Sequence, residues 1–307
     1  MKIKANLYIL LLGLAVLTLP GLAKASGDIT LKSVTLSSLV DITQKTFTVT
    51  AGGADLLVSY TAATKVTGNP TGLTSYSDWQ LTDQLNITGS ITGYQDGKLK
   101  LTAQTIAYNF SNRQLKTITG YVSNVDGVNN IVWVSIKTGN QYNTLEIDKV
   151  GVSDGARLIG FNNLNQVTPG QAVSLTQIWN KTNKNLMKTA AISKLGNKAN
   201  VHIISLRRES GNFIVESGYP QPLQLKRGDI LIIQNRTGVT LYFKADAADQ
   251  GKFSPRLTDK YSTLKSVGQL QYSIPAGSIS GSFVLPLKTE AVATANTVLN
   301  LQLQITD

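Results

Sequence analysis

Cysteine is absent, histidine occurs once (His202), and methionine occurs twice, once as the initiator. Without a thiolate there is no disulfide, iron–sulfur cluster, cysteine nucleophile or Cys-ligated zinc. A Ser-His-Asp triad or an imidazole-rich metal site would rest on His202 alone. Charge is scarce too: 15% of the residues are Asp, Glu, Lys or Arg, against about 25% in an ordinary globular protein. Glutamate occurs only at 146, 209, 216 and 290. These absences point away from catalysis and toward a protein that binds or builds. The apolar share of 42% is enough for a core and excludes global disorder. At about 100–200 residues per domain, the 307 residues allow two domains or three small ones.

Residues 1–25 read as a secretory signal peptide. Lys2 and Lys4 supply the positive start, Leu7 to Leu19 an apolar run, Pro20-Gly21 a break, and Ala23-Lys24-Ala25 a small-x-small cleavage pattern. The run is shorter than the ~20 residues of a membrane helix, with an uncleaved anchor as the alternative. No later stretch is apolar enough to span a bilayer, so the mature chain is expected to be secreted, to a periplasm, cell surface or medium, with no integral membrane segment. After cleavage the basic character is regional. Residues 26–110 hold 5 basic and 6 acidic side chains, residues 111–199 hold 10 and 4, and residues 200–307 hold 11 and 8. The middle third would favour anionic polymers or lipid head groups.

Period-2 alternation dominates, as in Val132-Trp-Val134-Ser-Ile136 and Leu299-Asn-Leu301-Gln-Leu303-Gln-Ile305. Gly52-Gly53, Asp96-Gly97, Asp126-Gly127 and Asp154-Gly155 punctuate it as hairpin signals. The expected class is all-β. Residues 33–106 and 117–192 read as two copies of one unit of about 75 residues, the size of a small closed barrel. Each closes on a related phrase: Leu81-x3-Leu85-x-Ile87-x-Gly89 and Leu164-x2-Val167-x2-Gly170. This pattern resembles the small oligonucleotide-fold-like β-barrel repeats found in tandem in bacterial secreted proteins of unknown function. No catalytic residue follows from that resemblance.

Residues 201–307 differ. Val201–Leu206 is a strand, Leu223-Gln-Leu225-Lys-Arg-Gly-Asp leads into Ile230–Asn235, and Tyr272-Ser-Ile-Pro-Ala-Gly277 precedes two closing strands. The order resembles the cupredoxin sandwich, with Lys226, Gly228, Asp229 and Asn235 at that family's motif positions. A cupredoxin copper site needs two His, a Cys and often Met. Here the stretch after Asn235 reads Arg-Thr-Gly-Val-Thr-Leu-Tyr-Phe, and the closing loop from Lys288 to Thr297 has none of them. The expected organisation is therefore a signal peptide (1–25), β-barrel repeat 1 (26–112), β-barrel repeat 2 (113–195), a polar linker, and a cupredoxin-like β-sandwich without a metal site (200–307).

No catalytic, cofactor-binding or metal-ligating set is expected. His202 reads as a surface or strand-edge histidine, since no nucleophile motif surrounds it. Asp246, Asp249 and Asp259 share a long loop with Lys244, Lys252, Arg256 and Lys260, which reads as solvated rather than as a carboxylate pair or Ca²⁺ site. Trp79 (with Tyr76) and Trp179 read as core or lid residues in connecting phrases. Two features remain as ligand or interface candidates. Trp133 is placed outward by strand alternation, either as a stacking platform or packed against a neighbouring domain. Lys181, Lys184, Lys188, Lys194 and Lys198 form a spaced basic run, either a phosphate-contacting stripe or a solvated face. The expected function is an exported, non-enzymatic cell-envelope or extracellular protein with a binding or assembly role. Its partner would be a protein or envelope polymer. The alternative is a secreted binder of anionic glycan or nucleic acid through the basic second repeat.

Overall fold

The computed structural model describes residues 28–70, 75–152, 154–196, 199–216, 218–246, 250–257 and 260–307. The expected signal peptide, Lys198, Asp249 and Asp259 lie outside them. Among the described residues strands carry nearly all the regular structure, interrupted by three short 3-10 turns. No helix among them is long and apolar enough to cross a membrane. The fold is all-β. The chain forms two compact units. The first runs to Leu115 and includes Trp179–Asn185; the second holds Lys116–Ile178 and Leu186–Asp307.

The first unit contains β1 (Asp28–Leu36), β2 (Thr46–Ala51), β3 (Ala54–Ser59), β4 (Lys65–Asn69), β5 (Gln84–Gln95) and β6 (Lys98–Asn109). Gly52-Gly53 turns the β2–β3 hairpin and Asp96-Gly97 the β5–β6 hairpin, all four residues at positive φ, as tight primed turns require. The strand order is β3-β2-β1-β5-β6-β4. β3 also pairs in parallel with β6, from Leu56↔Leu99 to Ser59↔Thr102. Five strands thus close into a barrel, and closure leaves β3 no open edge. β4 runs parallel to the later part of β6.

Alternation in β1 breaks at Ser33, where a bulge lets Leu31 and Val34 both point into the core. Asn86 Oδ1 accepts the Ser33 N–H at 2.8 Å. Phe47, Val49, Val58, Leu85, Ile87, Leu101 and Ile106 fill the interior. Below them the Arg113 guanidinium is buried. It donates to the Asp83 carboxylate at 2.5 Å and the Asp78 carbonyl at 3.2 Å, and lies 4.4 Å from the Phe110 ring centroid.

The next strands are β7 (Arg113–Asp126), β8 (Ile131–Thr138), β9 (Gln141–Ile147), β10 (Arg157–Ile159), β11 (Ala172–Asn180) and β12 (Leu186–Lys194). Their order, β10-β12-β11-β7-β8-β9, is the first sheet's order advanced by six strands. β10 pairs in parallel with β12, as β4 does with β6. A 3-10 turn precedes β5 (Tyr76–Asp78), and another precedes β11 (Leu164–Gln166).

The last nine strands are β13 (Val201–Glu209), β14 (Asn212–Val215), β15 (Leu223–Lys226), β16 (Ile230–Asn235), β17 (Leu241–Phe243), β18 (Ser262–Leu264), β19 (Gly268–Ser273), β20 (Gly281–Lys288) and β21 (Thr297–Thr306). They form two sheets, β14-β13-β16-β19 and β15-β21-β20-β17-β18, with parallel pairs β13–β16 and β15–β21. The two sheets make a β-sandwich. Leu206, Leu225, Ile233, Phe243, Leu285 and Leu303 are among its core. β13 is buried from Val201 to Leu206. Ile204 and Leu206 enter the sandwich core, while Val201 and Ile203 pack with Ile232 against Tyr121 and Tyr142 of the second barrel sheet. A strand covered on both faces reads as a continuous run rather than an alternation.

Candidate functional site

The site begins with an unclosed seam. In the first barrel β3 and β6 share a four-residue ladder. Their topological counterparts are β9 and β12, and among the described residues no ladder joins these two. β12 is paired with β10 only over Ala191–Ser193. Its earlier residues, Leu186–Thr189, face Leu145–Lys149 at the end of β9 across a cavity of about 260 Å³. That is slightly below the ~300–1,000 Å³ of ordinary small-molecule sites.

β9 is held elsewhere. Tyr142 donates its backbone N–H to Gln234 Oε1 at 2.6 Å, and Gln234 Nε2 donates back to the Tyr142 carbonyl at 3.1 Å. A side-chain amide from the sandwich thus supplies the donor and acceptor a neighbouring strand would supply. Next to it the Tyr219 hydroxyl bonds Ser135 Oγ at 2.7 Å, and burial pushes this phenol up to about 12.

The cavity wall is polar and carries both signs. Lys149 Nζ donates to Asp154 Oδ2 at 2.7 Å, and Lys188 Nζ reaches the Asp154 carbonyl at 3.4 Å. The Lys149 hydrogen bond holds Asp154 below the usual carboxylate range, and the same bond raises Lys149. Glu146 and Asp148 also line the wall, with Leu145, Ile147, Ala156 and Met187 providing apolar surface. Opposed charges beside apolar patches suit a ligand with both polar and apolar faces better than a polyanion.

Trp133 is not an open platform. Its Nε1 donates to Glu146 Oε2 at 2.9 Å. The backbone at Gly218 lies against the indole so closely that a Cβ there would sit 2.5 Å from Trp133 Cγ. The indole is half-buried, with one side covered by the Gly218 backbone. The basic run is also divided: Lys181 and Lys184 belong to the first unit, Lys188 and Lys194 to the second. Lys194 Nζ lies 6.0 Å from the Phe161 ring centroid.

Two expectations are corrected. His202 is not at the surface: it is 4% exposed, with Nε2 2.7 Å from Asp229 Oδ2. Gly170, at φ +86, leaves room for the imidazole where a Cβ would lie 2.6 Å from Nε2. Asp229 also accepts the Lys226 N–H, so the turn before β16 carries the partner. Trp179 lies within β11 rather than in a connection. Trp79 is a core residue, as expected.

Asn235, at the end of β16, is wholly buried. Its Nδ2 lies within 3.1 Å of the Val239, Leu264 and Lys265 carbonyls, and its Oδ1 accepts from Thr237 N–H and Oγ1–H. Asn235 thus ties the end of β16 to the loop before β17 and to the end of β18. No group of three or more His, Cys, Asp or Glu side chains able to hold a metal ion occurs among the described residues.

No protein-family model and no curated protein matches the chain. Among solved structures, it is similar to a multicopper oxidase from Campylobacter jejuni, described as a metallo-oxidase, at 10% identity and a TM-score of 0.24. That alignment covers 90% of this chain and 61% of the oxidase.

Proposed function

We propose that the protein is an exported, non-enzymatic component of the cell envelope that holds a partner in the seam between β9 and β12. The sandwich serves as a copper-free frame. The observation that carries this reading is the paired strand order: two sheets thread six strands identically, and among the described residues the second has a cavity where the first has a closing ladder. We read the two sheets as tandem copies of one barrel, the second having given up closure for a binding cleft. The buried His202–Asp229 pair and Asn235 act as supports that fix the frame.

The test is titration of the mature chain, residues 26–307, with soluble peptidoglycan fragments, neutral glycans, teichoic acid and DNA, followed by NMR. Shifts should centre on Leu145–Lys149 and Leu186–Thr189, and Met187→Trp, which fills the cavity, should remove them without lowering the melting temperature. Binding that spreads over the lysines and falls steeply with salt would replace this reading with the anionic-polymer one. A turnover-dependent product from any of these polymers would overturn the non-enzymatic reading.

A further inference from the structure

A second cavity, of about 380 Å³, opens at one mouth of the first barrel. It is bounded by Lys45 just before β2, Tyr60 and Thr61 just after β3, Thr64 before β4, Val66 in β4, and Tyr76 in the 3-10 turn. We propose that this cavity is a binding site for one ring of a neutral glycan, with the tyrosine pair as its apolar wall and the rim groups as its hydroxyl-reading edge.

The wall is built in advance. Tyr60 and Tyr76 stack at 3.9 Å between centroids, and Tyr76 meets Trp79 edge-on at 5.1 Å. Trp79 in turn meets Phe47 at 5.7 Å, so the pair is backed by the barrel core. Tyr60 is 7% exposed, and Tyr76 is half-buried. The rim is equally fixed. Tyr60 donates its N–H to the Lys45 carbonyl at 3.0 Å, which holds Lys45 at φ +53 beside the cavity. Thr61 and Thr64 bracket a turn: Thr61 N–H donates to Thr64 Oγ1, and Thr64 Oγ1–H to the Ala103 carbonyl. A site ordered before binding spends little conformational entropy on its ligand.

The chemistry selects the ligand class. A pyranose alternates an apolar C–H face with a ring of hydroxyls, and tyrosine offers an apolar body with a polar tip. Burial pushes the Tyr76 phenol up to about 12, and burial together with the nearby Asp41 carboxylate raises Tyr60. Both phenols therefore stay protonated and can donate as well as accept. Lys45 and Asp41 put one charge of each sign near the site, and residues 26–110 carry 5 basic against 6 acidic side chains. Such a surface gives a polyanion no counterion-release gain.

The experiment is titration of the mature chain with maltotetraose, cellotetraose and chitotetraose, followed by amide NMR at low and high salt. At least one should shift the Lys45, Thr61 and Tyr76 amides, with an affinity that salt leaves unchanged. Thr61→Trp alters an exposed residue and blocks the mouth; it should weaken binding at least ~10-fold with the melting temperature unchanged. Tyr76→Ala should weaken binding likewise, with some fall in melting temperature from the lost aromatic packing, and Tyr76→Phe should lose less of both. Met187→Trp should bind the sugar as wild type does, which separates this site from the seam of the second barrel. The proposal is overturned if no tetrasaccharide shifts these amides, if Thr61→Trp binds as tightly as wild type, or if salt abolishes the binding.

Discussion

The two barrel sheets differ at one junction. β3 hands its outer edge to β6 through four backbone pairs; β9 hands its outer edge to the side chain of Gln234. Both solutions satisfy the hydrogen-bonding demand of an edge strand. Closure spends the whole edge on the barrel itself. Capping by a single amide at Tyr142 leaves the end of β9 and the start of β12 facing a cavity. The difference shows how one strand order can be sealed in one place and left open in another.

The largest expected effect breaks the closed barrel from below. Arg113→Met leaves Asp83 buried without its cation and should destabilise the first unit by about 3–5 kcal/mol. Calorimetry should show the transition of the first unit falling and that of the second unmoved. Gly218→Ala acts on the other side of the comparison. It places a Cβ 2.5 Å from the indole of Trp133, at φ +89, and should cost the second unit about 1–3 kcal/mol with a change in Trp133 fluorescence. Gln234→Ala should cost about 1–2 kcal/mol through the two freed groups of Tyr142. It should also raise concentration-dependent association on size-exclusion chromatography, because β9 regains an open edge.

The smallest effect is an opposed response to acid. Burial pushes the Asp83 carboxyl above its ordinary range, against the Gln80 N–H and Arg113, which both pull it down. The ion pair alone would predict the reverse, but desolvation is the larger effect. Asp83's contribution to stability is therefore present at acid pH and lost as pH rises through its raised value. Asp126 is held low by the Asn129 side chain and backbone, and Asp154 by Lys149. Their contributions are present above the ordinary carboxylate range and lost as pH falls through the depressed values. Carboxyl-carbon NMR titration should place Asp83 above, and Asp126 and Asp154 below, an unperturbed aspartate.

Strand positions were legible because alternation and Asp-Gly or Gly-Gly turns are local. Phe47-Thr-Val49 and Val132-Trp-Val134 bury their valines and Phe47 as the period requires. The seam was not legible. Leu145–Ile147 and Leu186–Thr189 read as ordinary strand residues, and the group that caps β9 at Tyr142, Gln234, lies about 90 residues further along the sequence. The burial of His202 is equally silent in the sequence: its partner, Asp229, lies in a turn 27 residues later. Trp133 alternates outward as expected, but its cover, Gly218, has no side chain to announce a contact.

Backbone hydrogen exchange tests the closed-versus-open contrast most directly. The amides that join β3 to β6, within Leu56–Ser59 and Leu99–Thr102, should exchange only with global unfolding of the first unit. The outward amides of Leu145–Ile147 and Leu186–Lys188 should exchange far faster than the β8–β9 ladder beside them, while Tyr142 stays protected until Gln234 is replaced. Equal protection at the two junctions would mean that the second barrel is closed as well, and would contradict the account.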